Sequence, residues 1–166
     1  MGDEFDRGVI RGMDRKLDTA KIPKAIYVFT GVPESPSNLW KKHKVDTSKP
    51  IQCILPAYTS CSTAFSLARG WSVSDKFDYK NHPARNSDAP SKLEMHGEMF
   101  KQVLKIYLPK GAEAGSVKSQ SEYPNENEII LHRDSLIGID PKPTITKDYA
   151  VVWHCICRGR FPHKCY

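Results

Sequence analysis

Two glutamates, Glu126 and Glu128, stand one residue apart in "SEYPNENEIILHRDS" (121–135), where a polar loop turns into an apolar run. If a strand begins there, side chains 126 and 128 share one face. Their Cα atoms are then about 6.6 Å apart, at about 3.3 Å per residue. Ile129 and Leu131 point the other way, into a core. Two carboxylates on one rigid edge can accept hydrogen bonds from sugar hydroxyls and stabilise a cation developing at a glycosidic carbon. One of them can also orient or deprotonate an incoming nucleophile. The same letters describe two solvated glutamates at a loop end.

A second cluster lies in "LPAYTSCSTAFSLA" (55–68). An aromatic, Tyr58, is followed by Thr59, Ser60, Cys61 and Ser62, at the end of one strand and the start of a helix. Hydroxyls at such a junction can bond a ribose or fix a neighbouring strand end. Ser62 reads as the cap of the helix, which leaves Ser60 for a ligand.

The five cysteines, Cys53, Cys61, Cys155, Cys157 and Cys165, are odd in number and irregular in spacing. Free thiols are the expectation. The segment "HCICRGRFPHKC" (154–165) gathers His154, Cys155, Cys157, His163 and Cys165 but lacks paired Cys-x-x-Cys spacing. "YAVVWHCIC" (149–157) reads instead as a buried strand with packed cysteines, and no metal is expected.

The elements that must position these groups follow from apolar spacing. Phe5, Val9, Ile10, Met13 and Leu17 recur at helical intervals and predict an amphipathic helix ended before Pro23. "AIYVF" (25–29) and "IQCIL" (51–55) predict buried strands. Ser37 is expected to cap a short helix through "NLWKKHK" (38–44). "KNHPARNSDAPSK" (80–92) is a surface loop, "FKQVLKIYL" (100–108) a strand, and "PKGAEAGS" (109–116) a turn. "EIILH" (128–132), "SLIGI" (135–139) and "YAVVWHCIC" predict three more strands. Short connections between these late strands suggest antiparallel pairing, so the class is α+β.

The length, 166 residues, fits one domain spanning 1–166. No apolar run reaches the roughly 20 residues a membrane helix needs, and the first residues have no apolar stretch after a basic start. The expectation is a cytoplasmic protein with no membrane contact. The net charge of +6 favours anionic partners, although the lysines are scattered rather than clustered. There is no P-loop and no GxGxxG, so the usual nucleotide folds have no support.

Taken together, "YTSCS" (58–62) and "ENE" (126–128) resemble the mono-ADP-ribosyltransferases, which carry an arginine on an early strand, an aromatic–x–Ser–Thr–Ser segment and a Glu-x-Glu. Cys61 stands where threonine is usual. The framing "VLKIYLPKGAEAG" (103–115), then "SEYPNENEIILHRDS", most resembles the small ADP-ribosyltransferases of tailed bacteriophages. The resemblance runs from about residue 20 to about residue 140. It implies two small antiparallel sheets packed roughly perpendicular around an NAD cleft, flanked by N-terminal helices.

It also implies residue roles. Glu128 would accept the ribose 2′-hydroxyl and favour the cation formed as nicotinamide leaves. Glu126 would orient or deprotonate the acceptor, usually an arginine guanidinium. Ser60 would position the glutamate strand or the ribose. Tyr58 would face the nicotinamide region, beside Thr59, Ser62 and Gly31. Tyr123 and Ser121 fall where the family reads its protein acceptor. The family's first-strand arginine precedes a glycine, yet "VFTGV" (28–32) puts Thr30 before Gly31. A bidentate phosphate clamp cannot be made by threonine. Arg69, Arg11 and Arg15 are the alternative cations.

The leading expectation is therefore a monomeric NAD-dependent enzyme that modifies an arginine of a host bacterial protein, with RNA as another acceptor class. The second is an impaired member that binds a host protein without chemistry. The third is a basic nucleic-acid-binding domain, which rests on charge alone.

Overall fold

The structure, a computed structural model, describes residues 4–84, 86–87, 99–116, 128–161 and 164–165. The helices are α1 (Glu4–Thr19), α2 (Ser37–His43) and α3 (Phe65–Trp71). The longer strands are β1 (Ile26–Gly31), β2 (Ile51–Leu55), β6 (Met99–Leu108), β9 (Ser135–Ile139) and β11 (Ala150–Arg160). The shorter ones are β3 (Thr59–Ser62), β4 (Ser74–Lys76), β5 (Asn86–Ser87), β7 (Ala114–Ser116), β8 (Glu128–Leu131), β10 (Thr144–Ile145) and β12 (Lys164–Cys165).

The α+β class is borne out, but hydrogen bonding runs unbroken through the order β2-β9-β11-β6-β1-β3-β8-β7. Two sheets were expected and one continuous ladder is found. It is thinnest between β1 and β3, where Phe29 and Ser62 form a single register pair. That joint separates a five-stranded mixed portion from a three-stranded antiparallel one, β3-β8-β7.

Antiparallel pairing between consecutive late strands forms in part: β9 and β11 pair antiparallel, while β8 and β9 do not pair with each other. β8 pairs with β3 and β7, β9 pairs with β2 and β11, and β11 runs parallel to β6 over seven register pairs from Ala150↔Lys101 to Ile156↔Tyr107. β6 and β11 are long central strands, each buried on one face.

Alternation sets the faces. On β1, Val28 and Thr30 are buried while Tyr27 is 53% exposed. On β6 and β11 the inward set includes Leu104, Ile106, Trp153, Cys155 and Cys157. The aromatic centre of this core is Trp40 of α2, which stacks on Trp153 at 5.8 Å. His82 lies against both indoles and is within 3.0 Å of the Pro141 carbonyl through Nδ1. Burial lowers its pKa, so the ring is neutral and its Nδ1–H donates to that carbonyl.

Three local expectations are corrected. Ser37 lies inside α2 rather than capping it; Pro36 is the cap residue, and the Ser37 hydroxyl pairs with Ser35 Oγ at 2.8 Å. The cap position of α3 is Ala64, not Ser62. The supposed turn 109–116 contains β7, which pairs with β8. Among the described residues no helix is long and apolar enough to cross a membrane.

Candidate active site

"TSCS" is too short and too polar to announce itself as a strand, yet residues 59–62 form β3 between β1 and β8. Pairing supplies what propensity does not: Thr59↔Leu131, Ser60↔Ile130, Cys61↔Ile129 and Ser62↔Glu128. Ser60 and Glu128 are thus diagonal neighbours on one face, within reach of each other. The Ser60 hydroxyl donates a hydrogen bond to Glu128 Oε2. Ser60 is exposed and Glu128 half-buried, so the pair faces solvent from a rigid ladder. Cys61 points the opposite way and is fully buried, which pushes its thiol up to about 12.

Thr30 is buried behind this pair at 6% exposure. Its hydroxyl donates to the Ser60 carbonyl at 2.9 Å. That bond lies at the joint where β1 and β3 share only one register pair, so a side chain replaces a ladder bond there. Gly31 faces α3: a Cβ at that position would lie 2.5 Å from Ser72 Oγ and 3.0 Å from the Ala68 carbonyl. Ser62 is buried, and its hydroxyl accepts the Ala64 N–H at 3.0 Å, just ahead of α3. The Thr59 hydroxyl donates to the Ala57 carbonyl at 3.3 Å.

Arg69 Nη2 donates to the Asp148 carbonyl at 2.7 Å, and its Nε is buried without a partner. It therefore ties α3 to the turn before β11. Arg11 and Arg15 are exposed on α1. Glu126, Tyr123 and Ser121 lie outside the described residues.

Tyr58 does not stand open as an aromatic platform. It is half-buried, stacks on His132 at 5.9 Å, and donates its hydroxyl to Asp14 of α1. Burial first, and then the Asp14 carboxylate, push its pKa up to about 12. Asp14 in turn is gripped by Arg133 through Nε at 2.9 Å and Nη2 at 2.9 Å, a two-pronged contact that holds its carboxyl below the usual range. One turn on, Asp18 Oδ1 meets His132 Nε2 at 2.9 Å. Glu113, with its side chain fully buried, pairs with Lys21 at 2.9 Å and Arg160 at 3.0 Å.

This ionic clasp docks α1 onto the end of β8 and holds the residue two before Ser60. It was missed because its members are dispersed. The signal for it is Asp14 and Asp18 sharing one face of α1, four residues apart.

Of the terminal cysteine and histidine cluster, His163 lies outside the described residues, and His154, Cys155 and Cys157 do not point to one place. Cys155 and Cys157 point into the core, while His154 lies on the other face with Nε2 2.8 Å from Thr144 Oγ1. Among the described residues only Asp18, Glu113 and His132 have ligand atoms close enough for a metal, and two cations already hold Glu113.

Residues 76–150 match the model of the ADP-ribosyltransferase exoenzyme family, a span that includes both glutamates but not Ser60. No curated protein matches the chain by sequence. Among solved structures, Plx2a, an ADP-ribosyltransferase toxin from Paenibacillus larvae, aligns with a TM-score of 0.60 at 17% identity, covering 95% of this chain and 73% of the toxin. C3stau2 from S. aureus, solved with NAD, aligns with a TM-score of 0.57 at 14% identity, over 94% of this chain and 72% of that one. Exoenzyme S from Pseudomonas aeruginosa, solved with human 14-3-3 protein beta and carba-NAD, gives 0.56 at 11% identity, over 94% and 60%. The chain has the fold of the ADP-ribosyltransferase toxins, and its residues 76–150 are similar to the ADP-ribosyltransferase exoenzyme family.

Proposed function

We propose that this protein is an NAD-dependent mono-ADP-ribosyltransferase that modifies an arginine of a host bacterial protein, working in the cytoplasm as a single monomeric domain. The observation that carries the reading is the Ser60–Glu128 hydrogen bond between adjacent strands. It leaves a carboxylate fixed in direction on a solvent-facing edge, with a second glutamate two residues before it in sequence.

The chemistry asks little beyond placement. NAD carries a good leaving group, and its C1′–N bond breaks with the electron pair going to nicotinamide. The Glu128 carboxylate accepts the ribose 2′-hydroxyl and stabilises the oxocarbenium-like cation left at C1′. The acceptor guanidinium nitrogen then bonds C1′ and yields its proton to Glu126. Ser60 holds Glu128 in line, and Thr30 holds Ser60, so both act as positioning residues. Bringing the reactants into line supplies much of the rate. Tyr123 and Ser121 belong to the segment that reads the acceptor.

Titration of labelled NAD into bacterial lysate tests the reading. Transfer of label to protein by the wild type, and its loss in Glu128→Gln, support it. Wild type that labels nothing and releases no nicotinamide overturns it. Digestion with nuclease and with protease separates RNA from protein as the acceptor.

Thr30 favours a second reading. Its hydroxyl is committed to the Ser60 carbonyl and it offers no cation, while Arg69 is held at Asp148. A member without a phosphate clamp can persist as a host-protein-binding module. Calorimetry with no NAD heat, together with capture of one host protein, would select it.

A further inference from the structure

The outer face of the five-stranded portion carries a cleft of about 390 Å³ that the Ser60–Glu128 pair does not use. Alternation places Tyr27, Lys105, Tyr107, His154 and Arg158 there, because their neighbours Val28, Leu104, Ile106, Trp153 and Cys157 fill the core on the other side. Phe29 packs edge-on against Phe65 of α3 at 5.6 Å, and Gly31 lies under Ser72. These contacts cover β1 between Tyr27 and the end of the strand nearest Ser60, so the cleft is separate.

Its lining combines two chemistries. Tyr27 and Tyr107 are cross-strand partners with rings 5.5 Å apart and inclined at 63°, and Tyr27 is 53% exposed. Lys105 Nζ sits 4.6 Å from the Tyr27 ring centroid. His154 is in register with Lys105 on the neighbouring strand. Gly138 lacks a side chain where a Cβ would come within 3.0 Å of Arg158 Nε, so the Arg158 side chain lies across β9 toward the cleft. Arg158 has no ion-pair or hydrogen-bond partner among the described residues. Asp140 contributes one carboxylate to the lining.

We infer that this cleft is a binding site for a nucleoside monophosphate, with the base on the Tyr27 ring and the phosphate between Arg158 and Lys105. An aromatic face beside a cation is the arrangement that holds a base and its phosphate together. A guanidinium with no partner among the described residues is suited to a phosphate fork. The volume is that of a small-molecule pocket rather than a nucleic-acid track. Two cations against the Asp140 carboxylate are enough to hold one phosphate. The site stands independently of the ADP-ribosyl transfer reading.

Calorimetry with AMP at low salt tests this. The expected result is one saturable site that weakens about tenfold in Arg158→Ala and in Tyr27→Ala, and that is unchanged in Glu128→Gln. Adenosine and inorganic phosphate, each alone, should bind at least about tenfold more weakly than AMP. If Tyr27→Ala melts early, Lys105→Ala replaces it. Absence of saturable AMP binding by folded wild type overturns the inference. Binding lost in Glu128→Gln but kept in Arg158→Ala also overturns it, by placing AMP in the other cleft. A short single-stranded oligonucleotide that binds far more tightly than AMP overturns it too, by making the face a nucleic-acid surface.

Discussion

The Thr30 hydroxyl donates to the Ser60 carbonyl at 2.9 Å, from a side chain that is 6% exposed. The bond crosses the joint where the sheet is held by a single register pair, Phe29↔Ser62. Thr30→Val keeps the shape but leaves the Ser60 carbonyl without this donor. Stability should fall by about 1–3 kcal/mol in urea unfolding, and Thr30→Ser should recover most of it. On the transferase reading, nicotinamide release from NAD falls in the valine variant mainly through kcat. Valine and serine variants that are equally active and equally stable would remove Thr30 from any positioning role.

Ser60 and Glu128 should not behave alike. Glu128→Gln removes the charge that faces the developing cation and should lower the rate of nicotinamide release by about 10²–10³-fold. Ser60→Ala frees the carboxylate without deleting it, so the loss should be smaller, about tenfold, and the double variant should resemble Glu128→Gln alone. Single-turnover kinetics on the three variants measures this, and additive losses would contradict it.

The clasp on α1 makes stability depend on pH at both ends. The Arg133 hydrogen bond holds the Asp14 pKa below its ordinary value. That contribution is therefore present above the unfolded carboxylate pKa of about 3.9 and is lost as pH falls through the lower folded value. Asp14→Asn should flatten the acid limb of a chemical-denaturation series. Tyr58 is raised instead, to about 12, chiefly by burial. Its contribution is complete below the unfolded value of about 10 and is lost as pH rises toward about 12. A tyrosinate absorbance titration should show a late component that Tyr58→Phe deletes.

Gly31→Ala should destabilise by about 1–3 kcal/mol, because the new methyl meets Ser72 Oγ at 2.5 Å and Ser72 Cα at 2.9 Å. Relief depends on α3 moving off β1. A thermal melt indistinguishable from wild type would show that α3 is not seated on this glycine.

Cys61, Cys155 and Cys157 are buried thiols, with Cys61 pushed to about 12 and Cys157 to about 11 by burial first of all. Since the thiolate is the nucleophile, Ellman's reagent at mildly alkaline pH should reach them only after denaturant is added. Rapid labelling of all three in native protein, read by peptide mapping, would contradict their placement in the core.

What the sequence by itself determined is local. The apolar runs at 51–55 and 135–139 became strands of those bounds, and the helical spacing of the first 19 residues became α1. A period of two or 3.6 is written by near neighbours, so it survives without knowledge of the rest of the chain. Ser60 and Glu128 are singled out through the resemblance of "YTSCS" and "ENE" to the ADP-ribosyltransferases, and the fold brings those two side chains into contact. Tertiary structure alone decided the remainder. β3 is a strand because β1 and β8 flank it, not because "TSCS" prefers to be extended. β11 takes β9 as an antiparallel neighbour, as the short connections suggested, but its other neighbour is the distant β6, in parallel, and β8 joins β3 and β7 rather than β9. Asp14 meets Arg133 across 119 residues, and so takes Tyr58 out of the solvent where the motif had placed it. Such contacts arise from which faces the core forces together, and no short window of sequence contains both partners.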